Sequence, residues 1–186
     1  MHPGARARLH DGRDDLAALA ATVTPVASWA EVERQIPELA RRARESFDRN
    51  KHKTMATLRR DGGPRISGTE IEFRIGDVWI GSMPGAVKAQ DLLRDGRVAI
   101  HSGTVDPGDD PSSWPGEAKL AGVAVVVTDP AVIGRWMGEA EAPTPDEFHL
   151  FRIDVHEVTL TALNDACDKL VVEWWTERTG LQRAER

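Results

Sequence analysis

The sequence predicts an α+β fold: an antiparallel β-barrel of six or seven strands with short helices at its ends. From Lys53 onward apolar residues recur with a period of two, in runs cut by Gly and Pro turn signals. The helical stretches between those runs are too short and too few to be the crossover helices of a parallel, doubly wound sheet. Antiparallel pairing follows.

Residues 1–25 mix Arg, Asp, Gly and Ala without a strong apolar face, and are expected to form a mobile arm ahead of one domain over 26–186. Ser28 and Glu31 have the spacing of a capping box. Pro37 interrupts that start, and Leu39, Ala40, Ala43 and Phe47 then share one stripe, which predicts a helix over about 37–49. TMATLRR, RISGTEIEFR and VWIGS, separated by Asp61-Gly62-Gly63-Pro64 and Ile75-Gly76-Asp77, read as a three-stranded antiparallel meander. Pro84-Gly85 opens a short helix with Ala89, Leu92 and Leu93 on one side, and RVAIHS follows as a strand. Gly103–Gly116 is a surface loop rich in turn residues. Glu117–Val127 is a long strand whose Gly122 predicts a bend or bulge. Asp129-Pro130 starts a brief helix with Val132, Ile133 and Trp136, after which FHLFRIDV, EVTLTAL and KLVVEWW read as three more strands.

Composition narrows the function. With 24 Lys+Arg against 30 Asp+Glu the net charge is −6, which argues against nucleic acid as a partner. The longest apolar run, Val123–Val127, is strand-sized, so no membrane span is expected. The N-terminus MHPGARARLHDGRDD lacks the apolar segment of a secretory signal, so the expected location is the cytoplasm. The single cysteine, Cys167, has no partner for an internal disulfide, and no Cys/His spacing suggests zinc. His101, His149 and His156 lie in or near strands with no grouping and read as structural. Arg41, Arg42 and Arg44 read as a solvated helix face. No catalytic residue or metal ligand is assigned.

The words TMATLRRDGGPRIS and GDVWIGSMPGAVKAQDLLRDGRVAIH, in that order of strand, Asp-Gly turn, strand, strand, turn, helix and Arg-Val strand, resemble the pyridoxamine 5′-phosphate oxidase-like family of flavin-binding split barrels over roughly residues 28–186. The resemblance implies a homodimeric split barrel that binds FMN, or a deazaflavin coenzyme, in a groove between subunits. On the second strand it points to Ser67, Gly68, Thr69 and Glu70 as cofactor-binding positions. Two hydroxyls there flank a glycine that lets a flat ring approach the backbone. At the next turn it points to Ser82 and Met83 beside Gly81, and in the following helix to Lys88 as the phosphate-binding cation. Val87 and Gln90 stand where many relatives carry a second basic residue, and Glu72 where the family has a basic one. Near the C-terminus Trp175 and Arg183 match an aromatic and a basic residue that reach the partner's cofactor.

The expected function is a flavin-type oxidoreductase, dependent on FMN or a deazaflavin, acting on a small planar substrate. In that chemistry the cofactor supplies the redox step and the protein orients it, so few protein catalytic groups are needed. The alternatives are a non-catalytic protein of the same fold that holds a cofactor or haem, and a dimeric scaffold.

Overall fold

A computed structural model describes residues 27–106, 109–138 and 147–186. The expected N-terminal arm lies outside the described residues. Ser28 accepts a hydrogen bond from the Glu31 amide at 3.2 Å and starts helix α1 (Trp29–Gln35), and Pro37 opens α2 (Pro37–Asp48). Nine strands follow: β1 (Lys53–Leu58), β2 (Pro64–Thr69), β3 (Glu72–Arg74), β4 (Asp77–Ser82), β5 (Arg97–His101), β6 (Glu117–Val127), β7 (His149–Leu163), β8 (Leu170–Thr176) and β9 (Gly180–Glu185). Helix α3 (Val87–Arg94) joins β4 to β5, and α4 (Pro130–Met137) follows β6.

All strand pairs are antiparallel, along the path β2-β1-β5-β6-β7-β4-β3, with β8 and β9 extending from β7. The two ends of that path, β2 and β3, are joined by only Glu70 and Ile71, so the sheet must curl until its ends meet. The barrel is split at β7. One edge of that strand pairs with β6 along its length, while the other is shared between β4 near His149–Ile153 and β8 near Glu157–Leu163. Ala27 bridges Val155 in the gap between them, with N–H···O bonds of 3.1 and 2.9 Å.

Three expectations are corrected. The stretch RISGTEIEFR is not one strand of a meander: it breaks at Glu70-Ile71, where the chain leaves the β1 edge and begins the opposite end of the sheet. FHLFRIDV and EVTLTAL are one continuous strand, because β6 is long enough to pair with both. The tail from Gly180 returns as β9, so among the described residues the strands number nine rather than six or seven. The bulge falls where it was expected, between Ala121 and Gly122. A Cβ at Gly122 would run into the Asp154 carbonyl, so only glycine fits there.

The main core joins the buried stripe of α1 and α2 (Trp29, Val32, Leu39, Ala43, Phe47) to the barrel interior (Met55, Ile80, Ile100, Phe151, Val158). A second, smaller core of Trp79, Ile133 and Leu150 lies under α4, with Trp136 and Phe148 packed against it.

Several buried side-chain polar atoms lack a hydrogen-bond partner, and one of them bears on stability. Asp77 Oδ1 is buried without a hydrogen-bond partner. Burial pushes the Asp77 pKa up, the attraction of Arg152 only partly offsets this, and Asp154 raises it further. Its contribution to stability is therefore present below the ordinary aspartate pKa of about 3.9 and is lost as pH rises through the higher folded value. Asp77→Asn is expected to raise stability at pH 7 by about 1 kcal/mol. The difference between the two proteins, measured by urea unfolding, should shrink as pH falls to about 4; a variant less stable at pH 7 would contradict this.

Candidate functional site

Curling the sheet places the end of β2 beside the end of β4 and the start of α3. A pocket of about 350 Å³ opens there, and Gly68, Thr69, Glu70, Ser82, Met83 and Lys88 all line it. These are six of the nine positions singled out from the sequence, drawn from three separate elements. The Lys88 ammonium donates to the Gly68 carbonyl at 2.6 Å, so the helix cation stands directly on the bare backbone of β2. A Cβ at Gly68 would meet nothing within 4 Å, so internal packing does not account for the glycine.

Ser82 is 6% exposed, and its hydroxyl is buried with no hydrogen-bond partner. A hydroxyl left unpaired at a pocket wall costs stability unless a ligand satisfies it. Helix α3 begins from Ala86, and no side chain caps its first amides. Those amides and the Lys88 ammonium bring partial and full positive charge to one corner of the pocket. The acidic rim is partly offset by cations beside it: Glu70 lies 3.4 Å from Lys51, and Glu72 lies 3.9 Å from Arg74. Behind the pocket Lys53 pairs across from Thr69. Burial pushes the Lys53 pKa down, against the opposing pull of Asp48 and Glu70.

The far wall was not legible in the sequence. Trp136 of α4 and Phe148, just before β7, stack with ring centroids 5.8 Å apart and planes at 25°. Both line the pocket with Trp79. Gly81 allows this, because a Cβ there would lie 2.8 Å from the Phe148 ring. The wall is aromatic, with the Trp136 indole Nε1 buried and without a hydrogen-bond partner.

Helix α3 is tied to the barrel through a buried carboxylate with partly exposed arginine partners. The Asp91 carboxylate, on a residue 3% exposed, accepts from Arg65 Nε of β2 at 2.6 Å, from Thr57 Oγ1 of β1 at 2.9 Å, and from Arg94 Nη2 at 3.0 Å. Burial opposes the Asp91 charge, but the hydrogen bonds from Arg65, Arg94 and Thr57 outweigh it and hold the pKa below the usual aspartate range.

The remaining three positions lie elsewhere. Ser67 faces Met55 across the β1–β2 ladder and does not line the pocket. Trp175 is 1% exposed, packed in the main core with its indole N–H donating to Gln35 Oε1 at 3.2 Å. Its place opposite Val158 turns the ring inward, away from the pocket; strand parity gives the more open position to Trp174. Arg183 pairs with Glu185 at 2.6 Å in a separate groove between α2 and β8–β9. That groove, about 780 Å³, is larger, but opposite charges line it and pair with one another, as Arg42 does with Glu173 at 2.6 Å. Among the described residues no group of His, Cys, Asp and Glu is arranged to hold a metal ion, and no helix is long and apolar enough to cross a membrane.

Comparison with known proteins agrees with this fold. The sequence pattern of the family described as pyridoxamine 5′-phosphate oxidase matches residues 39–162. No curated protein matches the chain significantly. Among solved structures the chain is similar to a pyridoxamine 5′-phosphate oxidase-related, FMN-binding protein from Nostoc punctiforme, with 12% identity, a TM-score of 0.55, and coverage of 88% of this chain and 98% of that one. It is similar to PhzG from Burkholderia lata, solved in complex with tetrahydrophenazine-1-carboxylic acid, with 14% identity, a TM-score of 0.54, and coverage of 98% and 99%. A haem-binding protein from Mycobacterium smegmatis is also similar, with 16% identity, a TM-score of 0.53, and coverage of 79% and 87%.

The two pocket glycines predict opposite behaviour. Gly81→Ala should lower stability by about 1–3 kcal/mol, for overpacking against Phe148. Gly68→Ala should leave thermal unfolding nearly unchanged while weakening any ligand laid on β2. Melting curves of the two variants check this, and equal losses of stability would contradict it.

Proposed function

Because the chain belongs to the pyridoxamine 5′-phosphate oxidase family, we propose that it is a cytoplasmic oxidoreductase that binds FMN or a deazaflavin coenzyme at the β2–β4–α3 pocket and acts on a small planar substrate. The observation that carries this reading is the corner made by the Lys88 ammonium, the uncapped start of α3 and the orphaned Ser82 hydroxyl. These residues fit an anionic, hydrogen-bond-accepting group, and the stacked Trp136–Phe148 wall fits a flat ring. Lys88 would hold the phosphate, Gly68 and Thr69 would present β2 to the ring, and Trp136 and Phe148 would exclude water. When bound, the cofactor supplies the two-electron chemistry; the protein binds and orients it.

A homodimer accompanies this reading. Ile66, Ala56, Ala99 and Ala121 lie side by side across β2, β1, β5 and β6, and Ile66 is 76% exposed. An apolar stripe of this kind fits a second copy, whose Arg183 would approach the pocket as the family resemblance implies. Ile66→Asp should convert a dimer to a monomer in light scattering, whereas a wild-type monomer would remove the dimer from the account.

A second reading, a non-catalytic haem carrier, is supported by His52, which lines the pocket rim and offers an imidazole ligand. The visible spectrum of the reconstituted protein separates the readings, near about 450 nm for FMN, about 420 nm for a deazaflavin and about 400 nm for haem. Lys88→Ala should weaken FMN by about 1.5–3 kcal/mol for loss of a charged hydrogen bond. Riboflavin, without the phosphate, should be little affected. An unchanged FMN dissociation constant removes Lys88 from the site.

A further inference from the structure

Two contacts tie α3 to β2. At the pocket, Lys88 Nζ meets the Gly68 carbonyl at 2.6 Å. Three residues along each element, Asp91 meets Arg65 at 2.6 Å. Positions three apart lie on the same helix face, so both contacts come from one side of α3. They differ in environment. Lys88 is half-exposed and its ammonium holds a neutral carbonyl, an acceptor that a charged oxygen can replace. In the Asp91 cluster the carboxylate and Thr57 are buried, Arg65 and Arg94 are partly exposed, and the bonds are shared among β1, β2 and α3. Arg94 also donates to the Leu58 carbonyl at the end of β1. A buried charge this well satisfied resists rearrangement, because losing one partner leaves another uncompensated.

We propose that Asp91 is a positioning residue: through Arg65 and Thr57 it pins α3 to the β1–β2 hairpin and so holds the Lys88 ammonium at the pocket beside Gly68. Asp91 does not line the pocket and acts only through Lys88. The ammonium rests on the Gly68 carbonyl in the free protein and moves to a ligand anion by side-chain rotation alone, while the helix stays in place. This rests on the flavin reading for the nature of the anion, but not for the clamp itself.

The test combines a ligand-independent and a ligand-dependent readout on Asp91→Asn and the milder Thr57→Val, with Lys88→Met as reference. In the free proteins, competitive acetylation read by mass spectrometry should show Lys88 several-fold more reactive in Asp91→Asn than in wild type, with Lys51 and Lys119 unchanged. In binding, Asp91→Asn should weaken FMN about tenfold and riboflavin less than twofold, and Thr57→Val should act in the same direction but less. Adding Asp91→Asn to Lys88→Met should cost nothing further toward FMN, since one group acts through the other. Equal weakening of FMN and riboflavin, additive losses in the double variant, or unaltered Lys88 reactivity would each overturn the proposal. If wild type binds neither flavin, the flavin reading fails, and the acetylation pattern still decides the clamp. Should Asp91→Asn not fold, Thr57→Val carries both readouts.

Discussion

The two-residue link between β2 and β3 is the constraint on which the rest of the molecule depends. Those strands are opposite ends of one hydrogen-bonded path, yet only Glu70 and Ile71 separate them. No flat sheet satisfies that connection. The bulge at Ala121/Gly122 and the length of β7 supply the bending, with β7 giving one edge to β6 and dividing the other between β4 and β8. The pocket is a consequence: it forms where the curled ends meet, so residues from β2, β4 and α3 face one another.

Electrostatics then decides what the pocket accepts. The chain is acidic overall, and its rim carries Glu70 and Glu72, but both carboxylates have cations nearby. At the corner itself the positive groups are the Lys88 ammonium and the first amides of α3. Such a corner suits a single phosphate better than an extended polyanion. Opposite it, the Trp136–Phe148 wall offers area without charge. The proposed flavin-type cofactor, with a flat ring and one anionic tail, would engage both halves.

Much of this was legible in the sequence, and the exceptions share a cause. Strand periodicity and Asp-Gly turns located the hairpins, and the words around Ser67–Glu70 and Gly81–Lys88 located six pocket residues, because each set is local in the chain. What failed to show was pairing at a distance. Trp136 and Phe148 become site residues only because β4 lies against β7, with Gly81 opposite Leu150. Trp175 and Trp174 are adjacent and alike in sequence, and only the register against Val158 and Thr159 decides which one is buried. Asp91 looks like a solvated helix residue until Arg65 and Thr57 converge on it from another hairpin. The division of RISGTEIEFR leaves no composition signal, since both halves are good strand formers.

The central claim is that the β2–β4–α3 pocket receives the phosphate-bearing end of a flat redox cofactor. A crystal structure of the protein grown with FMN tests it most directly. The account predicts the phosphate within hydrogen-bond reach of Lys88 Nζ, which will have left the Gly68 carbonyl, and the Ser82 hydroxyl engaged. FMN seated instead in the charged groove between α2 and β8–β9, or a pocket that stays closed with Lys88 still on Gly68, would contradict it.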